Sequence, residues 1–132
     1  MEFIKDYIKD KVVYDIGAGE GKFAVAMKKY AKEVVAIEAD PVLFAECQSR
    51  GVESIYSNFL DVDFEEADVL YIFMNFLGNY ALTKKLQEDD WAGIVISQYY
   101  PLQNNVTDMI PPDKVIDVNL PSGKFPFLVY HV

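Results

Sequence analysis

The chain reads as an α/β domain built on a mostly parallel sheet, and three features predict it. Uninterrupted apolar runs at residues 12–14, 34–37, 69–73 and 93–97 have the composition of strands covered on both faces. Segments of helical spacing lie between them, at 22–32, from Pro41 to near residue 51, and at 76–88. Two alternating runs, 114–120 and 124–132, close the chain around Pro121-Ser122-Gly123, which is a turn signal and predicts a terminal antiparallel hairpin.

The elements follow in order. Residues 1–9 fit a short helix with Phe3, Ile4, Tyr7 and Ile8 on one side. The first strand, Val12-Val13-Tyr14, runs into Asp15 and then into glycines at Gly17, Gly19 and Gly21. The next helix places Phe23, Ala24, Met27 and Tyr30 on one face, with Lys22, Lys28, Lys29 and Lys32 elsewhere. The second strand ends in Glu38, and Asp40-Pro41 supplies a cap and a first-turn proline for the helix that follows. Glu53–Tyr56 is a third short strand, and residues 58–68 are acidic and aperiodic, an extended loop or a single turn. Strand four is apolar throughout and therefore central. After strand five, residues 98–112 carry three prolines and no periodicity, a long loop of the functional kind.

A length of 132 residues predicts a single domain spanning 1–132, and 52% hydrophobic residues suit a fully covered sheet. The lone cysteine, Cys47, excludes an internal disulfide and a cysteine-rich metal site, so no metal is expected. The amino terminus has mixed charge and no long apolar stretch, so we expect neither a signal peptide nor a membrane span, and a cytoplasmic protein. The 21 acids against 12 bases give a formal charge of −9, with Arg50 the one arginine. That balance disfavours nucleic acid as a partner, apart from a local cluster at Lys28, Lys29 and Lys32, and favours a cationic partner such as a lysine-rich protein. The oligomeric state stays open.

Residues 12–21, VVYDIGAGEG, carry the most functional information. A strand that turns into a helix through glycines brings backbone N–H groups close to a ligand. The dinucleotide fingerprint would need a further glycine where this chain has Lys22, and Asp15 and Glu20 would repel a pyrophosphate. A ligand with positive charge and a ribose fits better, and S-adenosylmethionine is one. Glu38 lies 17 residues past Gly21, near the ~20 expected for an acid that binds a ribose diol.

With DIGAGEG and the Glu38 of AIEADP, the chain resembles the class I S-adenosylmethionine-dependent methyltransferases. The resemblance implies a Rossmann-like, seven-stranded methyltransferase fold, strand order 3-2-1-4-5-7-6. It places the cofactor on Asp15, Gly17, Ala18, Gly19, Gly21 and Glu38, with Asn58 and Phe59 at the adenine. Asn58 stands where an aspartate is more usual. The tip of strand four would face the methyl group, with Asn75 and Phe76 holding the acceptor and Tyr99 and Tyr100 completing an aromatic wall. His131, the sole histidine, is expected to be structural.

Residues 67–101, including ADVLYIFMNFLGNYALTKKL and GIVISQYYP, look like the small single-domain protein-lysine methyltransferases. That resemblance implies methylation of protein lysines, with a regulatory cofactor-binding domain or a small-molecule N- or O-methyltransferase as alternatives. Those enzymes carry a proline- and aromatic-rich segment before the first strand that covers the cofactor. Only about ten residues precede Lys11 here, so the cover is expected from a partner, a second subunit or the 98–112 loop.

Overall fold

A computed structural model describes residues 2–132; Met1, the start of the first expected helix, lies outside them. A 3-10 turn, Glu2–Ile4, leads into α1 (Lys5–Ile8). The chain then alternates β1 (Val12–Ile16), α2 (Lys22–Met27), β2 (Glu33–Glu38), α3 (Pro41–Ser49) and β3 (Glu53–Tyr56). After a 3-10 turn at Phe59–Asp61 come β4 (Val69–Ile72), α4 (Phe76–Glu88), β5 (Ile94–Gln98), β6 (Lys114–Leu120) and β7 (Gly123–His131). The seven strands form one sheet of order β3-β2-β1-β4-β5-β7-β6. The first five run parallel, and β7 pairs antiparallel with both β5 and β6. The expected Rossmann-like methyltransferase fold is the fold observed.

Strand periodicity divides the core. Tyr14, Ile16, Val35, Ile37, Leu70, Ile72 and Val95 point to one face, where Leu82 and Leu86 of α4 and Phe64 cover them. Val13, Val34, Ala36, Val69, Tyr71 and Ile96 point to the other, beneath Ile4 and Ile8 of the amino-terminal turn, Ala24 and Met27 of α2, and Cys47 of α3. Every residue of β4 is buried, as its unbroken apolar run requires.

One helix is shorter than its periodicity suggests. Residues 22–32 were expected to form a single helix, but α2 stops at Met27. The amides of Tyr30 and Ala31 both bond to the Met27 carbonyl, and the amide of Lys32 bonds to the carbonyl of Lys11. The chain must turn there to enter β2 beside β1, and tertiary closure overrides helical spacing. Asp40 caps α3 as expected, its carboxylate accepting from the amides of Val42 and Leu43 at 2.9 and 3.2 Å.

Leu82 is fully buried against the sheet, so Leu82→Ala should lower unfolding free energy by about 2–5 kcal/mol. Urea denaturation would register this as a lower midpoint with an unchanged slope.

Candidate functional site

In an open parallel sheet, ligands bind beyond the carboxyl ends of the strands, where strand order reverses. Here the order reverses at β1, between β2 and β4. A cavity of about 250 Å³ opens at that edge. Gly17 lines it from the loop after β1, Ile37, Glu38 and Ala39 from the end of β2, Ser57, Asn58 and Phe59 from beyond β3, and Met74 from beyond β4.

Glu38 fastens the two loops that frame this cavity. One carboxylate oxygen accepts from the amide of Gly19 and the other from the amide of Asp40, both at 2.9 Å. The amides of Gly17 and Ala18 bond to the carbonyl of Ile37, at 2.9 and 3.3 Å, so the glycine loop hangs from β2. The glycines then separate by role. Gly17 adopts a φ of +69°, and a side chain there would meet no protein atom within 4 Å, only the open space of the cavity. Gly21, at φ +90°, packs against α3, and a Cβ would stand 3.1 Å from Cys47 Sγ. Gly17 keeps room for a ligand, and Gly21 keeps room for a helix.

Asp15 is 3% exposed at the tip of β1, and one of its oxygens, Oδ2, has no hydrogen-bond partner. Burial first, and the nearby Glu38 carboxylate second, push its carboxyl up to about 7. The same two acids, after burial itself, raise the Cys47 thiol, and Asp15 adds to the burial that raises the Tyr71 hydroxyl. Asp15 therefore has acceptor capacity and no protein donor. A cationic ligand would supply both a donor and a compensating charge.

Asn58 and Asn75 turn out to be capping residues. Asn58 accepts from the amide of Leu60 at 3.0 Å, and Asn75, at the start of α4, accepts from the amide of Gly78 at 2.9 Å. Both remain exposed, each with its Nδ2 donors outside these caps. Phe76 lies beside Asn75, half exposed, with its ring edge-on to Tyr100 at 5.2 Å between centroids. Phe73 stacks on the same tyrosine at 6.2 Å, and Tyr99 meets it edge-on at 5.0 Å. The four rings form a shelf beyond β4 and β5.

Spacing alone did not disclose what holds that shelf. Tyr99 has a φ of +70°, rare for a side chain of its size, and the amide of Tyr100 bonds to the carbonyl of Gln98 at 2.8 Å. This is a γ-turn of the strained hand. It persists because neighbours over-determine it. Asn79, wholly buried on α4, donates to the carbonyls of Tyr100 and Pro101 at 3.0 and 2.9 Å. The Ser97 hydroxyl donates to the Tyr100 carbonyl as well, and the amide of Tyr99 bonds to the carbonyl of Pro126 at 2.8 Å. The remainder of the 98–112 loop folds back, Tyr130 accepting from the amide of Leu102 and donating to the carbonyl of Ile110. It supplies none of the cavity lining. His131 lies at the opposite end of β7, paired with Ile94.

The profile of the ribosomal RNA adenine dimethylases matches residues 4–90. The chain belongs to that family. Its relatives include the probable ribosomal RNA small subunit methyltransferase A of Methanosarcina barkeri, 34% identical over 94 residues. That match covers 67% of this chain and 33% of the relative, so the chain spans about a third of that protein's length. An RNA methyltransferase from Salinibacter ruber, solved with S-adenosyl-L-homocysteine, superposes with a TM-score of 0.79 at 21% identity, covering 99% of this chain and 88% of that one. A ribosomal protein L11 methylase from Lactobacillus delbrueckii subsp. bulgaricus reaches a TM-score of 0.72 at 19% identity, covering 98% and 74%. At such identities the likeness is one of fold.

The S-adenosylmethionine expected from the sequence accords with membership in the dimethylase family and with the S-adenosyl-L-homocysteine in the Salinibacter ruber structure. The lining suits S-adenosylmethionine, with Glu38 for a diol and apolar Ile37, Phe59 and Met74 for a base, while the orphaned Asp15, buried near the end of β1 and outside the lining, offers a carboxylate for a cation. Two expectations are corrected. The likeness to protein-lysine methyltransferases does not identify the family, since residues 4–90 match the RNA adenine dimethylases. Within those stretches, Asn75 and Ser97 have structural work, because Asn75 caps α4 and Ser97 closes the turn at Tyr99. The low expectation for nucleic acid, and the preference for a lysine-rich protein, fall with the same match. Net charge is a sum over the whole surface and says nothing about how the charge is distributed. Among the described residues, no helix is long and apolar enough to cross a membrane.

Asp15 has a measurable signature. Its folded pKa of about 7 lies above the ordinary 3.8, so the protonated form stabilises the fold, and that stabilisation is lost as pH rises from about 4 to about 7. The full shift corresponds to on the order of 4 kcal/mol. Asp15→Asn mimics the protonated form, so its stability advantage over wild type should grow through this window and level off above it. Urea unfolding of both proteins from about pH 4 to pH 8 would test this, and a constant difference would overturn it.

Proposed function

We propose that this chain transfers methyl groups from S-adenosylmethionine to the exocyclic amine of adenine in ribosomal RNA. Support comes from membership in the ribosomal RNA adenine dimethylases and from one juxtaposition. Met74 lines the cofactor cavity, and the next two residues, Asn75 and Phe76, begin the aromatic shelf. The exocyclic amine is the adenine nitrogen with two hydrogens to replace, so a dimethylating activity points to it.

In this reading residues 1–132 act as one cofactor-binding domain. Glu38 takes the ribose hydroxyls, Asp15 the methionine ammonium, and Asn58 and Phe59 the edge and face of the cofactor's adenine. Gly17, Ala18 and Gly19 keep the loop close to the ligand, and Gly21 lets that loop pack on α3. The cofactor contributes a methyl group already activated on a sulfonium, so the protein's task is positioning. A target base leaves its stack to reach such a site and is read by its edge and by stacking. The Asn75 amide carries the acceptor and donor that complement an adenine edge, its cap leaving Nδ2 and one lone pair of Oδ1 available. Phe76 and Tyr99 offer faces for the base. A cytoplasmic location accords with a ribosomal RNA substrate.

Glu38→Ala should weaken binding of S-adenosylmethionine about 10–100-fold by calorimetry, since it removes charge-assisted bonds to the diol and frees the glycine loop. Unchanged affinity would remove Glu38 from the site. For the reaction, labelled cofactor is incubated with total ribosomal RNA, and the RNA is digested to nucleosides. Label in methylated adenosine is expected. Phe76→Ala should lower the transfer rate about 5–150-fold while leaving cofactor affinity intact, because base–aromatic stacking contributes about 1–3 kcal/mol. Label confined to protein or to another base would overturn the reading.

A further inference from the structure

Charge is segregated along this chain. Seven of its 12 bases lie in the first 32 residues, against five of its 21 acids, and one of those five is the buried Asp15. Lys22 sits by the glycine loop, paired with Glu20 at 2.8 Å. The other six, Lys5, Lys9, Lys11, Lys28, Lys29 and Lys32, are all exposed.

The early end of α2 brings these six together. Turning at Met27 lays residues 28–32 against 9–11. Lys9 and Ala31 form an antiparallel bridge, the amide of Asp10 bonds to the carbonyl of Tyr30 at 3.2 Å, and the amide of Lys32 to the carbonyl of Lys11 at 2.9 Å. Tyr30 stands among them, with the ammonium groups of Lys5 and Lys29 over its ring at 5.7 and 5.5 Å from the centroid. Lys28 is fixed by donating to the carbonyl of Gly51 at 2.7 Å. Glu2, which accepts from the Tyr30 hydroxyl at 3.4 Å, and Asp6, Asp10, Glu33 and Glu53 border the cluster, yet among the described residues none of the six lysines makes an ion pair. Six lysines on adjoining segments, none of them in a direct ion pair among the described residues, offer their charge to an external polyanion.

We propose that this cluster is a docking surface for RNA phosphates, separate from the pocket that performs the chemistry. The proposal rests on the reading of RNA as substrate. Lysines present point charges, which suit phosphate better than the bidentate reading of base edges, so the contact is with the backbone and independent of sequence. No large apolar side chain is exposed within residues 2–11 or 27–34, which leaves nothing to enter a bilayer and favours RNA over an anionic membrane. The cluster lies at the amino-terminal ends of β1 and β2, whereas the cavity lies at their carboxyl ends. The five residues of β1 alone separate the two by roughly 17 Å. RNA anchored below must therefore run up one side of the sheet to present a base above.

The test is an anisotropy titration of a fluorescein-labelled small-subunit ribosomal RNA hairpin between about 50 and 200 mM salt. Three proteins are compared: wild type, the combined Lys28→Gln, Lys29→Gln, Lys32→Gln variant, and a combined Lys84→Gln, Lys114→Gln, Lys124→Gln control. Each phosphate contact contributes about 0.7–0.9 to the slope of log affinity against log salt. The cluster variant should lose about 2 from that slope and at least tenfold in affinity at the lowest salt. The control should match wild type, and all three should bind S-adenosyl-L-homocysteine equally, which verifies the fold. Wild-type slope and affinity in the cluster variant would overturn the docking surface while leaving the RNA reading standing. If wild type itself fails to bind the hairpin, both fall together. Loss of binding to phosphatidylserine vesicles, with RNA binding intact, would assign the surface to lipid and overturn the proposal.

Discussion

Everything at the working end of this molecule depends on the reversal of strand order at β1. Because β2 and β4 lie on opposite sides of it, the connections that leave β1 and β4 diverge and a crevice opens between them. Asp15 stands near the end of β1, buried, close to the Glu38 carboxylate and short of a donor. Covering the sheet on both faces stabilises the fold, and part of the cost of that burial falls on this residue, a carboxylate with an unpartnered oxygen. A cationic ligand relieves it. In the proposed reading the preference for a cation originates in the fold, before any loop is considered.

Much of this could be read from the residues. Every strand was located to within a residue or so, because runs such as VLYI and IVIS leave few other interpretations. The cap at Asp40, the helix over 76–88 and the turn at 121–123 followed from local chemistry. The glycine loop and Glu38 declared a cofactor because their spacing is a property of one βαβ unit, and such units are contiguous in sequence. What stayed illegible was non-local. The end of α2 at Met27 is set by its closure on Lys11, and the γ-turn at Tyr99 by Asn79, a residue twenty positions earlier. Glu38 was legible as an acid at the end of β2, but its hold on the amides of Gly19 and Asp40 was not.

The substrate was misread for a related reason. Asn75-Phe76 and Ser97 through Pro101 resemble a lysine methyltransferase pattern, yet here Asn75 caps α4 and Ser97 closes the turn at Tyr99. Those residues report architecture. The acidic total misled in a second way, since most of the acids belong to the chain beyond residue 32. A surface can be anionic on average and cationic at one pole, and folding determines which pole that is.

The turn at Tyr99 has a consequence for motion. Asn79, Ser97 and the Pro126 carbonyl all act on the few peptide units around one left-handed residue. Such a junction does not bend by degrees. Relaxing Tyr99 to negative φ would swing the Tyr100 carbonyl away from both of its side-chain donors in the same movement. The aromatic shelf is therefore latched rather than sprung: fully assembled while those bonds hold, and dismantled as a unit when they part.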